Sequence, residues 1–190
     1  MEKYRSLSEV LYEKINGKTV ICTFILTAII GILQLGIFNP YFLKQTGGVV
    51  YLETDIFYTT ESLYDSVESY GESGRRLYIR NAVTLDFILP LFCSMFITSL
   101  LIFMLKKTSI KPCLATVFFS IGLFSCLSDW IENVFMIFVV TAYPQRVMTY
   151  AVGARIMTTV KMLFLAVIIV VAVALLLCYK RHNRNYENVA

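Results

Sequence analysis

Residues 19 to 38 run for twenty positions without a charged side chain, and a helix of that length reaches across a hydrocarbon core about 30 Å thick. Three further stretches, 82–105, 113–142 and 154–179, are as long and predominantly apolar, each bounded by charge, proline or both. Composition agrees, because only 16% of the 190 residues are charged and 57% are hydrophobic, whereas about a quarter of a soluble domain is charged. A chain this short has too little interior to bury so much apolar surface unless lipid is part of the solvent. A soluble enzyme and a disordered chain are excluded on these grounds.

The expected fold class is therefore all-α: a polytopic membrane protein of one domain, residues 1–190, built as a four-transmembrane-helix bundle. Residues 1–18 carry seven charges, and Leu7, Val10, Leu11 and Ile15 share one face, which reads as an in-plane helix at the inner leaflet. No small-residue cleavage site follows the first segment, so it reads as a retained helix rather than a signal peptide. It ends at Asn39-Pro40.

Lys and Arg in the short flanks set the orientation. The N-terminal tail, the loop at 106–112 and the C-terminal tail hold ten of them, against six on the other side, where the first loop also carries six acids. Both termini are expected to be cytoplasmic, in a multi-pass protein of the cell membrane, and residues 39–81 to form a short helical extracytoplasmic cap. Eight of the twelve tyrosines fall on that outer side, where amphipathic rings suit the interface. Residues 41–52 are apolar enough to lie in the interface or dip against the bundle. Leu63, Val67 and Tyr70 recur at helical spacing, Gly71 suits a C-cap, and a second short helix is expected from near Ser73 into the second span. The cap reads either as a lid or as a solvated amphipathic hairpin that shields the helix ends.

The five cysteines, at 22, 93, 113, 126 and 178, lie in or at the ends of spans and form no CxxC pair. They read as small buried thiols rather than a disulfide framework or a redox pair, with acylation of Cys22, Cys113 or Cys178 as the other reading. His182 is the single histidine, so a zinc site with His ligands has no ligand set. No phosphate loop, serine elbow or other cofactor motif occurs, and nothing points to nucleic acid.

What remains is charge inside the membrane, at about 2.5 to 3.5 kcal/mol per residue at a helix centre on insertion scales. The residues are Asp86, Asp129, Glu132 and Lys161, with Arg155 at a helix start. Asp129, Glu132 and Asn133 share one helix face, and Gly122, Ser125 and Cys126 continue it as a close-packing surface, while Phe124, Ile131 and Phe138 face away. At 1.5 Å rise per residue, Glu132, Asp129 and Lys161 lie roughly 10 to 16 Å below the outer boundary. Pro90 lacks an N–H and so leaves the Asp86 carbonyl without its helical partner. Structural pairs, Glu132 or Asp129 with Lys161 and Asp86 with Arg155 or Arg80, would fix helix register. Because buried pairs are poor stabilisers, a ligand site is the favoured reading.

In Gly71-x-x-Gly74-Arg75-x-x-Tyr78, Asp86 followed by Pro90, Asp129-x-x-Glu132-Asn133, Tyr143-Pro144 and Lys161, the chain resembles small bacterial four-helix integral membrane proteins. The resemblance covers roughly residues 50–165 and implies one outward polar site, with no activity attached. The leading expectation is a non-enzymatic protein that binds or passes a small polar or amphipathic ligand, a lipid headgroup or cation. Asp86, Asp129, Glu132 and Asn133 would be its acceptors, and Lys161 and Arg155 would balance charge or grip an anionic group. The alternatives are an intramembrane lipid-modifying enzyme with Glu132 or Asp129 as general acid/base and an accessory subunit. The expected partners are membrane lipids and a helical membrane partner or a second copy of the chain.

Overall fold

A computed structural model describes residues 6–51, 58–108 and 110–187. Among them there is no strand, and four helical stretches are long and apolar enough to cross a membrane: Gly17–Gln45, Gly71–Leu105, Leu114–Ala142 and Met148–His182.

The chain opens with α1, Leu7–Lys14, whose N-cap Ser6 and Glu9 satisfy each other's backbone amides as a capping box. The Ser8 hydroxyl lies 3.0 Å from the Cys113 carbonyl and 2.5 Å from the Thr116 hydroxyl, tying this amphipathic helix to the start of a later span. Asn16 caps α2, Gly17–Ile32. A π-helical turn, Leu33–Phe38, then leads into α3, Asn39–Gln45. The helix thus continues past Pro40 instead of ending there. Pro40 sits in the first turn of α3, and the widened π turn before it relieves the clash a proline ring makes with the preceding carbonyl.

The segment expected to form the cap, called the cap below, holds α3, α4 (Thr60–Ser69) and most of α5 (Gly71–Ala82). Thr59 caps α4 through the Ser62 amide at 3.1 Å, and Gly71, at φ +61°, makes the corner into α5. That places the start of α5 two residues before the expected Ser73. After a short turn follow α6, Leu85–Leu105, and α7, Leu114–Ala142, both close to their expected bounds. The last helix, α8, is Met148–Glu187, longer at both ends than the expected 154–179, and neither extension contains a proline.

α7 is the central helix, packed on both α6 and α8, and α2 lies against the far side of α6. The Thr23 and Ser99 hydroxyls meet at 3.0 Å across that outer contact. Where α6 crosses α7, a Cβ at Gly122 would collide with the Thr98 hydroxyl and lie 3.1 Å from Ser94 Oγ, the close backbone approach that small residues permit. Phe124, Ile131 and Phe138 are exposed on the outer side of α7. Cys126 is buried, but Cys22, Cys113 and Cys178 are exposed, which corrects their reading as buried thiols. They lie on the outer surface of the bundle, where apolar side chains also face outward.

Candidate functional site

The cap is packed as a second core rather than as a shield. Phe42, Tyr51, Tyr58, Leu63, Tyr64, Val67, Tyr70 and Tyr78 are buried together against Met136, Val139 and Ala154 of α7 and α8. Tyr78 stacks on Tyr51 at 5.0 Å and on Tyr70 at 6.0 Å, and Phe42 meets Tyr70 edge-on at 4.9 Å. These tyrosines are therefore core residues, which overturns their placement as interface anchors; Tyr41 alone of the early ones stays exposed. Gly74 is needed here, because a Cβ would come within 2.6 Å of Thr46 Cγ2. Arg75 donates to the Val67 carbonyl at 3.2 Å and lies 4.3 Å from the Tyr143 ring centroid, joining α4, α5 and the end of α7. Tyr143-Pro144 is a cis peptide. Thus Gly71, Gly74, Arg75 and Tyr78, the most recognisable cap motif in the sequence, build the aromatic core. Outside the membrane-length apolar segments, burial raises the Tyr64 phenol above its ordinary pKa, and its hydroxyl donates to the Val147 carbonyl at 2.9 Å.

Two tyrosines of this core connect to the acids of the apolar helices, Tyr51 directly and Tyr58 through Thr158. Tyr51 donates to Asp86 Oδ2 at 2.6 Å, and Asn81 Nδ2 donates to the same oxygen at 2.5 Å and to the Tyr51 hydroxyl at 3.1 Å. Asp86 is 6% exposed. Its partners are neutral donors and not Arg155 or Arg80, so the expected pairing is corrected: Arg155 lies on the exposed side of α8, and among the described residues it forms no salt bridge. The carbonyl that Pro90 leaves free is taken by Asn133 Nδ2 at 3.1 Å. The next carbonyl, that of Phe87, accepts from the Trp130 indole at 2.8 Å, with the two rings stacked at 4.6 Å. The proline in α6 thus becomes a polar joint to α7.

The second group centres on Lys161, whose ammonium bridges both acids of α7. Nζ lies 2.9 Å from Asp129 Oδ1 and 2.5 Å from Glu132 Oε2. Glu132 Oε1 accepts from Thr158 at 2.6 Å, and Tyr58 lies 2.8 Å from the Thr158 hydroxyl. Since Thr158 has one proton and gives it to the carboxylate, Tyr58 donates to Thr158. A polar chain therefore runs from the cap through Tyr58, Thr158, Glu132 and Lys161 to Asp129.

Beyond Asp129 and Lys161 lies a cavity of about 330 Å³ between α6, α7 and α8. Its other walls include Cys93, Ile97, Ser125, Leu165 and Ile168. All of these lie further from the cap than the ion pair does, so the cavity is on the side away from the cap and the cap side is covered by Tyr51 and Tyr58. A separate cavity of about 360 Å³ lies across the α6–α7 contact, lined by Thr23, Leu91, Met95, Thr98, Leu123 and Trp130, with no charged residue.

Of the residues expected to act, Asp129, Glu132 and Lys161 form one contact group, Asp86 and Asn133 meet beside it, and Arg155 stands apart. Sequence reasoning missed Tyr51, Tyr58, Asn81 and Thr158. Thr158 carries a usable signal, since it lies three residues before Lys161 and so on the same helix face. Asn81 and the two tyrosines carry none, because turns separate them from the helices they serve. Among the described residues, no group of His, Cys, Asp and Glu could hold a metal ion.

By fold, then, the chain is a helical bundle with four membrane-length spans, in which one lysine bridges two acids at the wall of a cavity. No family model matches it, and neither a curated protein nor a solved structure does.

Proposed function

We propose that this is a multi-pass protein of the cell membrane that binds a small polar or amphipathic ligand within the membrane. Asp129, Glu132 and Lys161 form the polar end of the site, and the cavity between α6, α7 and α8 receives the rest of the ligand. The observation that carries this reading is the position of the ion pair: the side chains of Asp129 and Lys161 line an otherwise largely apolar cavity instead of being packed shut. A pair kept only for helix register is better served by full enclosure, because exposure to lipid adds desolvation cost without adding a partner. Asp86, Tyr51 and Asn133 support the site by fixing α6 to α7 and to the cap. Arg155 has no part in it.

Both termini belong on the cytoplasmic side and residues 39–81 outside, on the strength of the basic flanks. In a cysteine-free background, an impermeant thiol reagent applied outside should label Ser69→Cys and miss Thr108→Cys. The site itself is tested by native mass spectrometry of protein extracted in a mild neutral detergent. The wild type should retain a bound small molecule, and Leu165→Trp or Ser125→Leu, which fill the cavity and leave all charges in place, should lose it. Retention of the same species by both folded variants would rule this cavity out.

A further inference from the structure

The contact group at the cavity wall is unbalanced. Asp129 and Glu132 contribute two carboxylates and Lys161 one ammonium, while Arg155, the other cation of the expected site, lies elsewhere. Both contacts of Lys161 are spent on these two acids. Glu132 is closed in, with its side chain 4% exposed, whereas the Asp129 side chain is 24% exposed and lines the cavity. Asp129 accepts one hydrogen bond, from Lys161 to Oδ1, and a carboxylate has room for about three more. The open face of the group is therefore an acceptor carrying negative charge.

The remaining walls decide what kind of cation fits. A metal ion requires a shell of oxygen or nitrogen ligands on several sides, and here Asp129 is the one carboxylate in the lining, Ser94 and Ser125 add only neutral hydroxyls, and Pro90, Ile97, Leu165 and Ile168 are apolar. An alkyl ammonium requires one carboxylate for its head and an apolar surface for its chain. The lining is graded in that sense, from Asp129 and Lys161 at the cap end to Ile97 and Ile168 toward the middle of the bundle. The side between α6 and α8 is the less closely packed one, and Leu165, which lines the cavity, is exposed. An anionic head would meet excess negative charge, and among the described residues that line the cavity the one cation, Lys161, is already held by Asp129 and Glu132.

Resting on the reading of this cavity as a ligand site, we propose that its ligand is an amphiphile with an ammonium head. It enters from the bilayer between α6 and α8, sets its head on Asp129, and lays its chain along Ile97, Leu165 and Ile168 toward the middle of the bundle. The Asp129–Lys161–Glu132 group thereby gains the positive charge it lacks.

The test compares dodecylamine, dodecanol and dodecylsulfonate, which share one chain and differ in the charge of the head. Each is titrated into wild-type protein in neutral maltoside micelles, and one-to-one adducts are counted by native mass spectrometry. Dodecylamine should bind saturably and about ten-fold more tightly than dodecanol, a difference of about 1.4 kcal/mol, and dodecylsulfonate should bind least. Asp129→Asn should weaken dodecylamine about ten-fold and leave dodecanol unchanged, and Leu165→Trp should weaken both. Should Asp129→Asn not fold, the three wild-type titrations decide alone. Dodecanol or dodecylsulfonate binding as well as dodecylamine, or dodecylamine binding that ignores Asp129→Asn, would overturn the ammonium assignment and leave the cavity a ligand site. No saturable adduct with any of the three would take away the ligand site itself.

Discussion

At the end of the bundle away from the cap, Leu101, Ile102 and Leu105 of α6 pack on Ala115 and Phe118 of α7 and on Leu175 of α8, with Leu11 of α1 and Ile15 just after it against them. At the cap end the same three helices present Asp86, Asp129, Glu132, Asn133, Thr158 and Lys161 to one another, beneath a lid of buried tyrosines. The aliphatic end solves the packing problem with dispersion alone. Its existence shows that these helices could have been joined the same way throughout. The polar end is held by hydrogen bonds and ion pairs whose assembly requires desolvating at least three charges, and such a cluster is weak evidence for stability. Its cost, together with the cavity at its edge, is the ground on which we propose a ligand site at the cap end.

Disrupting charge balance at the cap end should have the largest effect. Lys161→Met strands Asp129 and Glu132 together in low dielectric and should cost about 3 to 5 kcal/mol, read as a large loss of monodisperse protein and a lowered Tm. Gly122→Leu, between the two ends, should cost about 3 kcal/mol by forcing α7 off Thr98 and Ser94; measured by unfolding in mixed micelles, a neutral result would mean that the helices are not in close contact there. Tyr51→Phe removes a hydrogen bond to a buried carboxylate and should cost about 1.5 to 3 kcal/mol, with loosened amide exchange in α5 as its local signature. Phe138→Leu changes an exposed surface and should stay within about 0.5 kcal/mol.

The amphipathic face of α1 and the polar face of α7 were legible because each is periodic within one helix. Gly122, Cys126, Asp129, Glu132 and Asn133 are spaced to fall on one side of α7, and only the helical repeat is needed to see it. The free carbonyl of Asp86 followed from Pro90 by the same local logic, and Asn133 is its partner. What could not be read was chemistry supplied across a turn. Tyr51 and Tyr58 look like interface tyrosines because amphipathic rings favour either setting, and only the packing of α3 to α5 decides that they are buried. Asp86 was given an arginine because charge invites charge, yet two neutral donors from the cap satisfy it. The continuation of the first span through Pro40 was hidden for a similar reason, since a π turn has no compositional mark.

The contact of Lys161 with both acids alters the test that separates a working site from a structural pair. Neutralising one acid alongside Lys161→Met still leaves a lone carboxylate, so the neutral state requires Lys161→Met, Asp129→Asn and Glu132→Gln together. Thermal unfolding and native mass spectrometry on this triple variant, beside wild type and Lys161→Met, address the central claim most directly. We expect the triple variant to recover most of the Tm lost in Lys161→Met, because the group at positions 129, 132 and 161 then carries no charge, and to carry none of the small molecule retained by wild type. A triple variant that is stable and still retains that molecule in wild-type amount would show the charges to be structural and would contradict the assignment of the ligand site to them.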